Sequence, residues 1–169
     1  MKTALFAAAA AATLLVSAPA LAQDASSPEF YGSLGYSFYD TDIGDAQVGA
    51  VNARLGARFH RYFGVEGEAA FGVDDDEVAG VDVGLNHSVA IYGVGFLPVS
   101  ENFDLLARAG WGNTDVEVGG VDVDDDSFNY GVGAQFNFTE NDAIRGDWTR
   151  FDSDTAEADV WSINYVRKF

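Results

Sequence analysis

From Glu29 onward the apolar residues of this chain fall at every second position, not at every third or fourth. That period belongs to strands with two unlike faces. Eight strands are expected, over about 29–40, 47–59, 63–73, 85–97, 103–114, 127–138, 143–152 and 158–169. In the first, Phe30, Gly32, Leu34, Tyr36 and Phe38 share one face and Tyr31, Ser33, Gly35, Ser37 and Tyr39 the other. In the second, Val51, Ala53, Leu55, Ala57 and Phe59 alternate with Asn52, Arg54, Gly56 and Arg58. In the sixth, Phe128, Tyr130, Val132, Ala134, Phe136 and Phe138 alternate with Asn129, Gly131, Gly133, Gln135 and Asn137. The fourth strand is ambiguous. By analogy with the sixth, Ala90, Tyr92, Val94 and Phe96 are assigned to its apolar outer face.

One face is almost wholly apolar and aromatic. The other carries Arg, Glu, Asp, Asn and many small residues. A soluble barrel or sandwich would bury the first and wet the second. So many aromatics do not fit inside so short a chain, and the glycines on the charged face suit a crowded interior. The expectation is the inverse arrangement, an all-β, eight-stranded antiparallel transmembrane barrel of the up-and-down type. Its apolar face meets lipid and its polar face fills the lumen. Each strand is long enough, since a tilted strand crosses a bilayer in roughly 9–11 residues. Phe30, Phe59, Phe63, Phe103, Phe138 and Phe169 would form an aromatic girdle at one interface. Short connections around 60–62, 98–102 and 139–142 alternate with those around 41–46, 74–84, 115–126 and 153–157, two of which are long. That asymmetry fits periplasmic turns and outer loops. A weak repeat of about 40 residues supports a barrel of hairpins: IYGVGF (91–96) against NYGVGAQF (129–136), and GVDV at 80–83 and 120–123.

Composition sharpens this picture. The N-terminal segment has basic Lys2, an apolar run from Ala4 to Val16, and Ala20-Leu21-Ala22 as a cleavage site. It reads as a secretory signal peptide over residues 1–22, too short in its apolar run to be a membrane helix. Its removal leaves 147 of the 169 residues as the barrel, 23–169, with 27 acids against eight bases, a net charge of −19. A charge of that sign excludes a nucleic-acid partner. With no cysteine, closure rests on strand pairing and packing alone.

The segments YGVGAQFNFTENDAIRGDWTRF (130–151) and FDLLARAGWG (103–112), with the terminal Phe169, resemble the OmpA-like, opacity-type outer-membrane barrels of the porin family from Gram-negative bacteria. The resemblance implies outer-membrane residence, contact with lipids and lipopolysaccharide, and insertion by the barrel-assembly machinery, for which Phe169 would be the terminal signal. It departs at Arg167, where that signal more often has an apolar residue. A periplasmic peptidoglycan-binding domain is not expected. No cofactor is implied, and the family role is structural, adhesive or narrow-channel.

Three groups of residues carry candidate chemistry. The inward face gathers Arg54, Arg58, Arg108 and Arg145 with Glu66, Glu68, Asp104 and Asp147. A first turn centred near Arg61 would set Arg54 across from Glu68. By the resemblance, Glu66 and Arg145 fall where the family places an internal salt bridge. Side chains fill the interior of an eight-stranded barrel, so this network is expected to plug the lumen. The alternative is a narrow ion- or small-solute-conducting channel gated by re-partnering of the pairs. The outer stretches 40–46, 72–84, 114–127 and 152–159 hold 18 of the 27 acids and no Lys or Arg. They read as a solvated, repulsive surface, with Asp74, Asp75, Asp76, Asp122, Asp124, Asp125 and Asp126 as candidate weak ligands for divalent cations. No firm metal site follows, because the spacing lacks the Gly and the terminal Glu of an EF-hand loop. Finally, His87 and Ser88 are adjacent on a strand and so face opposite sides. They cannot make a nucleophile–base pair, and the chain is not expected to be an enzyme. A soluble lipocalin-like binder is the third reading, separated from the others by its independence of detergent.

Overall fold

The computed structural model describes residues 28–41, 47–74, 76–78, 81–118, 121–153 and 157–169. The strands are β1 (Glu29–Thr41), β2 (Gln47–His60), β3 (Phe63–Asp74), β4 (Asp76–Val78), β5 (Val81–Pro98), β6 (Phe103–Val118), β7 (Val121–Asn137), β8 (Asp142–Ser153) and β9 (Glu157–Lys168). Each long strand pairs antiparallel with its neighbours in the chain. Two contacts close the ring, β1 with β9 and β3 with β5. Closure runs to the end of the chain: the Phe169 amide donates to the Phe30 carbonyl at 2.9 Å. The result is the expected closed barrel of eight long strands, with β4 as a short extra ribbon beside the start of β5.

Closure leaves none of the eight long strands with an unpaired edge, which is the condition for a sheet to sit in lipid. The outward side chains are apolar and the inward ones largely polar. Leu34, Leu55, Ile91, Val132 and Ile163 occupy the middle of the outer surface. Phe30, Phe59, Phe63, Phe138, Tyr165 and Phe169 ring the turn end, with Phe103 half-buried among them. A second ring, of Phe38, Phe71, Trp111, Phe128 and Trp161, marks the other boundary. Trp148 bridges to it, its ring 6.5 Å from that of Trp161.

The interior is full because small residues sit under large ones. The ring of Tyr31 lies over Gly56. At Gly133 a Cβ would stand 2.6 Å from Cβ of Asp147 and 2.9 Å from Cδ1 of Leu106, so only glycine leaves room for both.

Two expectations are corrected. The first concerns the fourth long strand, β5. Tyr92, Val94 and Phe96 are buried in the lumen, while Val89, Ile91 and Leu97 face outward. The reason is register. Residues directly opposite in a sheet share a face, and Tyr92 pairs with Glu66 while Val94 pairs with Arg108. The two YGVG motifs therefore lie on opposite faces, Tyr92 inward and Tyr130 outward. A consequence can be measured: Ile91→Arg is expected to cost about 2–4 kcal/mol of folding stability in vesicles, as a cation at the bilayer midplane does. A cost near zero in urea titration would return Ile91 to the lumen.

The second correction concerns the outer connections. Much of what reads as loop over 74–84 and 115–126 is strand. β6 continues to Val118 and β7 starts at Val121, with those two residues paired. β5 starts at Val81, paired with Val78.

Candidate functional site

The central lumen holds three arginines and three carboxylates, delivered by four strands. β2 supplies Arg54, β3 supplies Glu66 and Glu68, β6 supplies Arg108, and β8 supplies Arg145 and Asp147. Arg54 and Glu68 are register partners, and Arg54 Nε lies 2.6 Å from Glu68 Oε2. The guanidinium of Arg54 also donates twice to Asp147, at 2.8 and 3.0 Å. Arg108 donates to Glu68 at 2.8 Å and to Asp147 at 3.3 Å, and lies 3.6 Å from Glu66. Arg145 donates to Glu66 at 2.6 Å. Three positive and three negative charges thus compensate one another. Compensation is needed, since Arg54, Glu66 and Arg145 are at most 2% exposed and an unpaired ion so placed would cost several kcal/mol.

Aromatic rings extend the site. The Arg108 guanidinium stacks over Tyr92 at 3.5 Å, and the Tyr31 hydroxyl donates to Glu66 at 2.9 Å. Tyr92 belongs here only because β5 faces inward as it does, and the alternation of that strand concealed it.

Arg58 and Asp104 are not members of the central cluster. They meet at 3.6 Å nearer the turn end, where Arg58 stacks on Phe96 at 4.3 Å and donates to the Arg61 carbonyl. A relay of amides connects the two sites. Arg145 donates to Gln135 at 2.8 and 3.0 Å, Gln135 to Asn137 at 2.9 Å, and Asn137 to Asp104 at 3.1 Å. Gln135 stands directly across from Arg145 in the β7–β8 pairing. The inward faces of the two strands named both residues, but not their connecting role.

Apolar clusters flank the ionic one, interleaved with buried polar side chains such as Asn52 and Asn129 toward the outer end and Gln135 and Asn137 toward the turns. Toward the outer end, Tyr39, Val48, Ala50, Ala70, Leu85, Phe151 and Val160 pack together, with the rings of Tyr39 and Phe151 edge to face at 5.8 Å. Toward the turn end, Val94, Phe96, Leu106, Ala143 and Val166 pack with Tyr31 and Tyr92. These layers were not expected. Three of the inner members come from β5 and two of the outer ones from β2, but each cluster is completed only by residues from other strands that closure of the barrel brings beside them.

The acidic positions lie at the outer end of the barrel. Asp75, and the side chains of Asp74, Asp76 and Asp122, lie outside the described residues. Asp125 accepts from Ser153 at 2.6 Å and Asp126 from Asn113 at 3.2 Å. The strand register sets acids directly opposite one another: Asp40 with Asp159, Glu77 with Asp82, Asp115 with Asp124, and Glu117 with Asp122. Among the described residues no group of three or more metal-ligating side chains forms a cation site. Opposed like charges destabilise a ribbon, so Asp124→Lys is expected to stabilise the β6–β7 ribbon by roughly 0.2–1 kcal/mol. Slower amide exchange over 113–126 at low salt, with the gain shrinking at high salt, would show it. Unchanged exchange would mean the register imposes no cost.

Ser88 points into the lumen, its hydroxyl 3.0 Å from that of Thr114, while His87 Nδ1 stands 3.9 Å from Asp115. The two side chains have different partners.

The family model described as outer membrane protein beta-barrel domain matches residues 8–169. The chain belongs to that family. No curated protein matches it by sequence. Among solved structures, the outer-membrane beta-barrel fold recurs in Ail, the attachment invasion locus protein of Yersinia pestis, in complex with the heparin analogue sucrose octasulfate. Identity there is 18%, TM-score 0.65, with 85% of this chain and all of that one covered. Neisserial surface protein A is 15% identical at a TM-score of 0.65, covering 87% and 100%. The N-terminal barrel of Pseudomonas aeruginosa OprF is 9% identical at 0.63, covering 86% and 100%. At these identities the likeness concerns the fold. Membership of the family places the chain in the outer membrane, with its apolar ring in contact with lipid.

Proposed function

We propose that this outer-membrane barrel is a non-enzymatic structural and surface protein that does not conduct. One observation carries the reading: the compensated Arg54–Glu66–Glu68–Arg108–Arg145–Asp147 layer is flanked by two apolar clusters. An ion crossing the lumen would have to displace buried pairs and pass two hydrophobic constrictions, which close by excluding water. The turns and the C-terminus face the periplasm, where Phe169 serves as the assembly signal after the signal peptide is removed. The acidic ribbons project outward. Acids set opposite one another in the strand register favour divalent cations that bridge to anionic lipopolysaccharide, through oxygen-rich but weak sites.

The deciding experiment is single-channel current through refolded protein in a planar bilayer, with the fold verified by heat-modifiable migration. A silent bilayer is expected. Discrete steps from the unaltered protein would favour the narrow ion- or small-solute channel instead.

A further inference from the structure

The lumen does not end at its inner apolar layer. Past that layer the turn end opens into a polar cavity of about 390 Å³, within the size range of small-molecule sites. Its charged lining is divided around the mouth. Going round the sheet, the β2–β3 turn, β1 and β9 form one continuous arc, and the β7–β8 and β5–β6 turns form the other. The first arc contributes Arg58, Arg61 and Lys168, and the second contributes Glu101, Asp104 and Glu140.

Three of these six groups, Arg61, Glu101 and Glu140, make no ion pair among the described residues. Arg58 is committed to the Arg61 carbonyl and to Asp104. The Arg61 guanidinium, in contrast, makes no ion pair among the described residues and only lies 5.6 Å from the Tyr62 ring. Lys168 reaches Glu29 at no better than 3.9 Å. Glu101 and Glu140 form no ion pair among the described residues. Both signs of charge thus line one mouth, and Arg61, Glu101 and Glu140 make no ion pair there among the described residues, although the two arcs adjoin where the Lys168 amide donates to the Asn141 carbonyl at 2.7 Å and the Phe96 amide to the Tyr62 carbonyl at 2.9 Å. Neither an anion nor a cation alone complements such a mouth. A molecule with a carboxylate at one end and an ammonium at the other does.

We propose that this cavity binds small zwitterionic solutes of the amino-acid or short-peptide class. The ligand carboxylate lies toward Arg61 and Lys168, and its ammonium toward Glu101 and Glu140. Binding is weak, because exposed ion pairs contribute little each. Only the compartment from which the ligand arrives rests on the orientation given under Proposed function.

The test is a titration of trialanine into refolded protein in neutral detergent micelles, followed by backbone amide shifts. Trialanine acetylated at its amine and amidated at its carboxylate is the control. Saturable shifts confined to 58–62, 98–102 and 137–140 are expected for trialanine and absent for the capped peptide. Arg61→Gln and Glu140→Gln should each weaken binding by about twofold to fivefold, the value of one exposed pair. Both positions are at the rim, so the variants keep the fold, which unaltered heat-modifiable migration would verify. Equal shifts with the capped peptide, no saturable shift, or full binding by both variants would each overturn the proposal. None of these outcomes depends on conductance or on the outer ribbons, so a failure here is distinct from a failure of the reading above.

Discussion

Asp147→Ala is expected to destabilise the folded barrel by about 3–5 kcal/mol, the cost of removing one partner from a buried ionic group. Asp147 has a fully buried side chain and holds two arginines at once, Arg54 through both oxygens and Arg108 through one. Truncation leaves three guanidiniums facing two carboxylates in the same space. Glu68 already serves both of those arginines, so it has little capacity to absorb the excess. The loss is therefore charge imbalance more than lost packing. Asp147→Asn separates the two. It keeps the shape and one acceptor oxygen, and should recover the packing share while leaving the charge deficit. Urea titration in detergent, read by tryptophan fluorescence, gives both numbers. A loss below about 1 kcal/mol for Asp147→Ala, the scale of an exposed pair, would mean that water reaches the arginines and that the layer is not sealed.

The opposite experiment clarifies what the network does. Replacing Arg54 and Asp147 together by apolar residues of similar volume can be nearly neutral in such sites. What the ions contribute is then a choice of register. Arg54 and Glu68 face each other only if β2 and β3 pair as they do, and a slip by one residue would put them on opposite faces, one of them toward lipid.

The sequence shows why some of this was legible and some was not. On β2, β3, β7 and β8 the inward positions carry formal charge or amides and the outward ones are apolar, so alternation alone assigns both faces. On β5 the inward run Ala90, Tyr92, Val94 and Phe96 is as apolar as the outward run Val89, Ile91 and Leu97. Periodicity is silent there, and only the partners on β3 and β6 decide. The ribbon over 115–124 was misread for a different reason. Its valines at 116, 118, 121 and 123 alternate with acids around Gly119-Gly120, which is a hairpin signal. The density of Asp hid it, because acids are poor strand formers. The two apolar layers could not be read at all. Tyr39, Leu85, Phe151 and Val160 come from four strands, and only closure of the ring, which sets Tyr39 opposite Val160 in the β1–β9 pairing, brings them to one level.

Those layers determine the second large effect. Arg145→Ala alone is expected to leave the bilayer silent, although it frees Glu66 from its shortest ionic partner. The outer packing of Tyr39, Leu85, Phe151 and Val160 and the inner packing of Val94, Phe96, Leu106 and Val166 remain in place. On the non-conducting reading proposed above, each acts as a constriction in series with the ionic one, and a series path conducts only when every element is open. Phe151→Ser or Phe96→Ser alone should likewise give no current, since the ionic layer still blocks the path. Unitary steps should appear in the combination of Phe151→Ser, Phe96→Ser and Arg145→Ala, which wets both apolar layers and loosens the pairs between them. Each phenylalanine truncation costs about 3–5 kcal/mol, so the comparison requires heat-modifiable migration of every variant before any current is read. Steps from Arg145→Ala alone would make the salt bridge the whole gate. Silence from a folded triple variant would mean that the strands themselves, drawn in by small residues such as Gly133, close the lumen without help from any one layer.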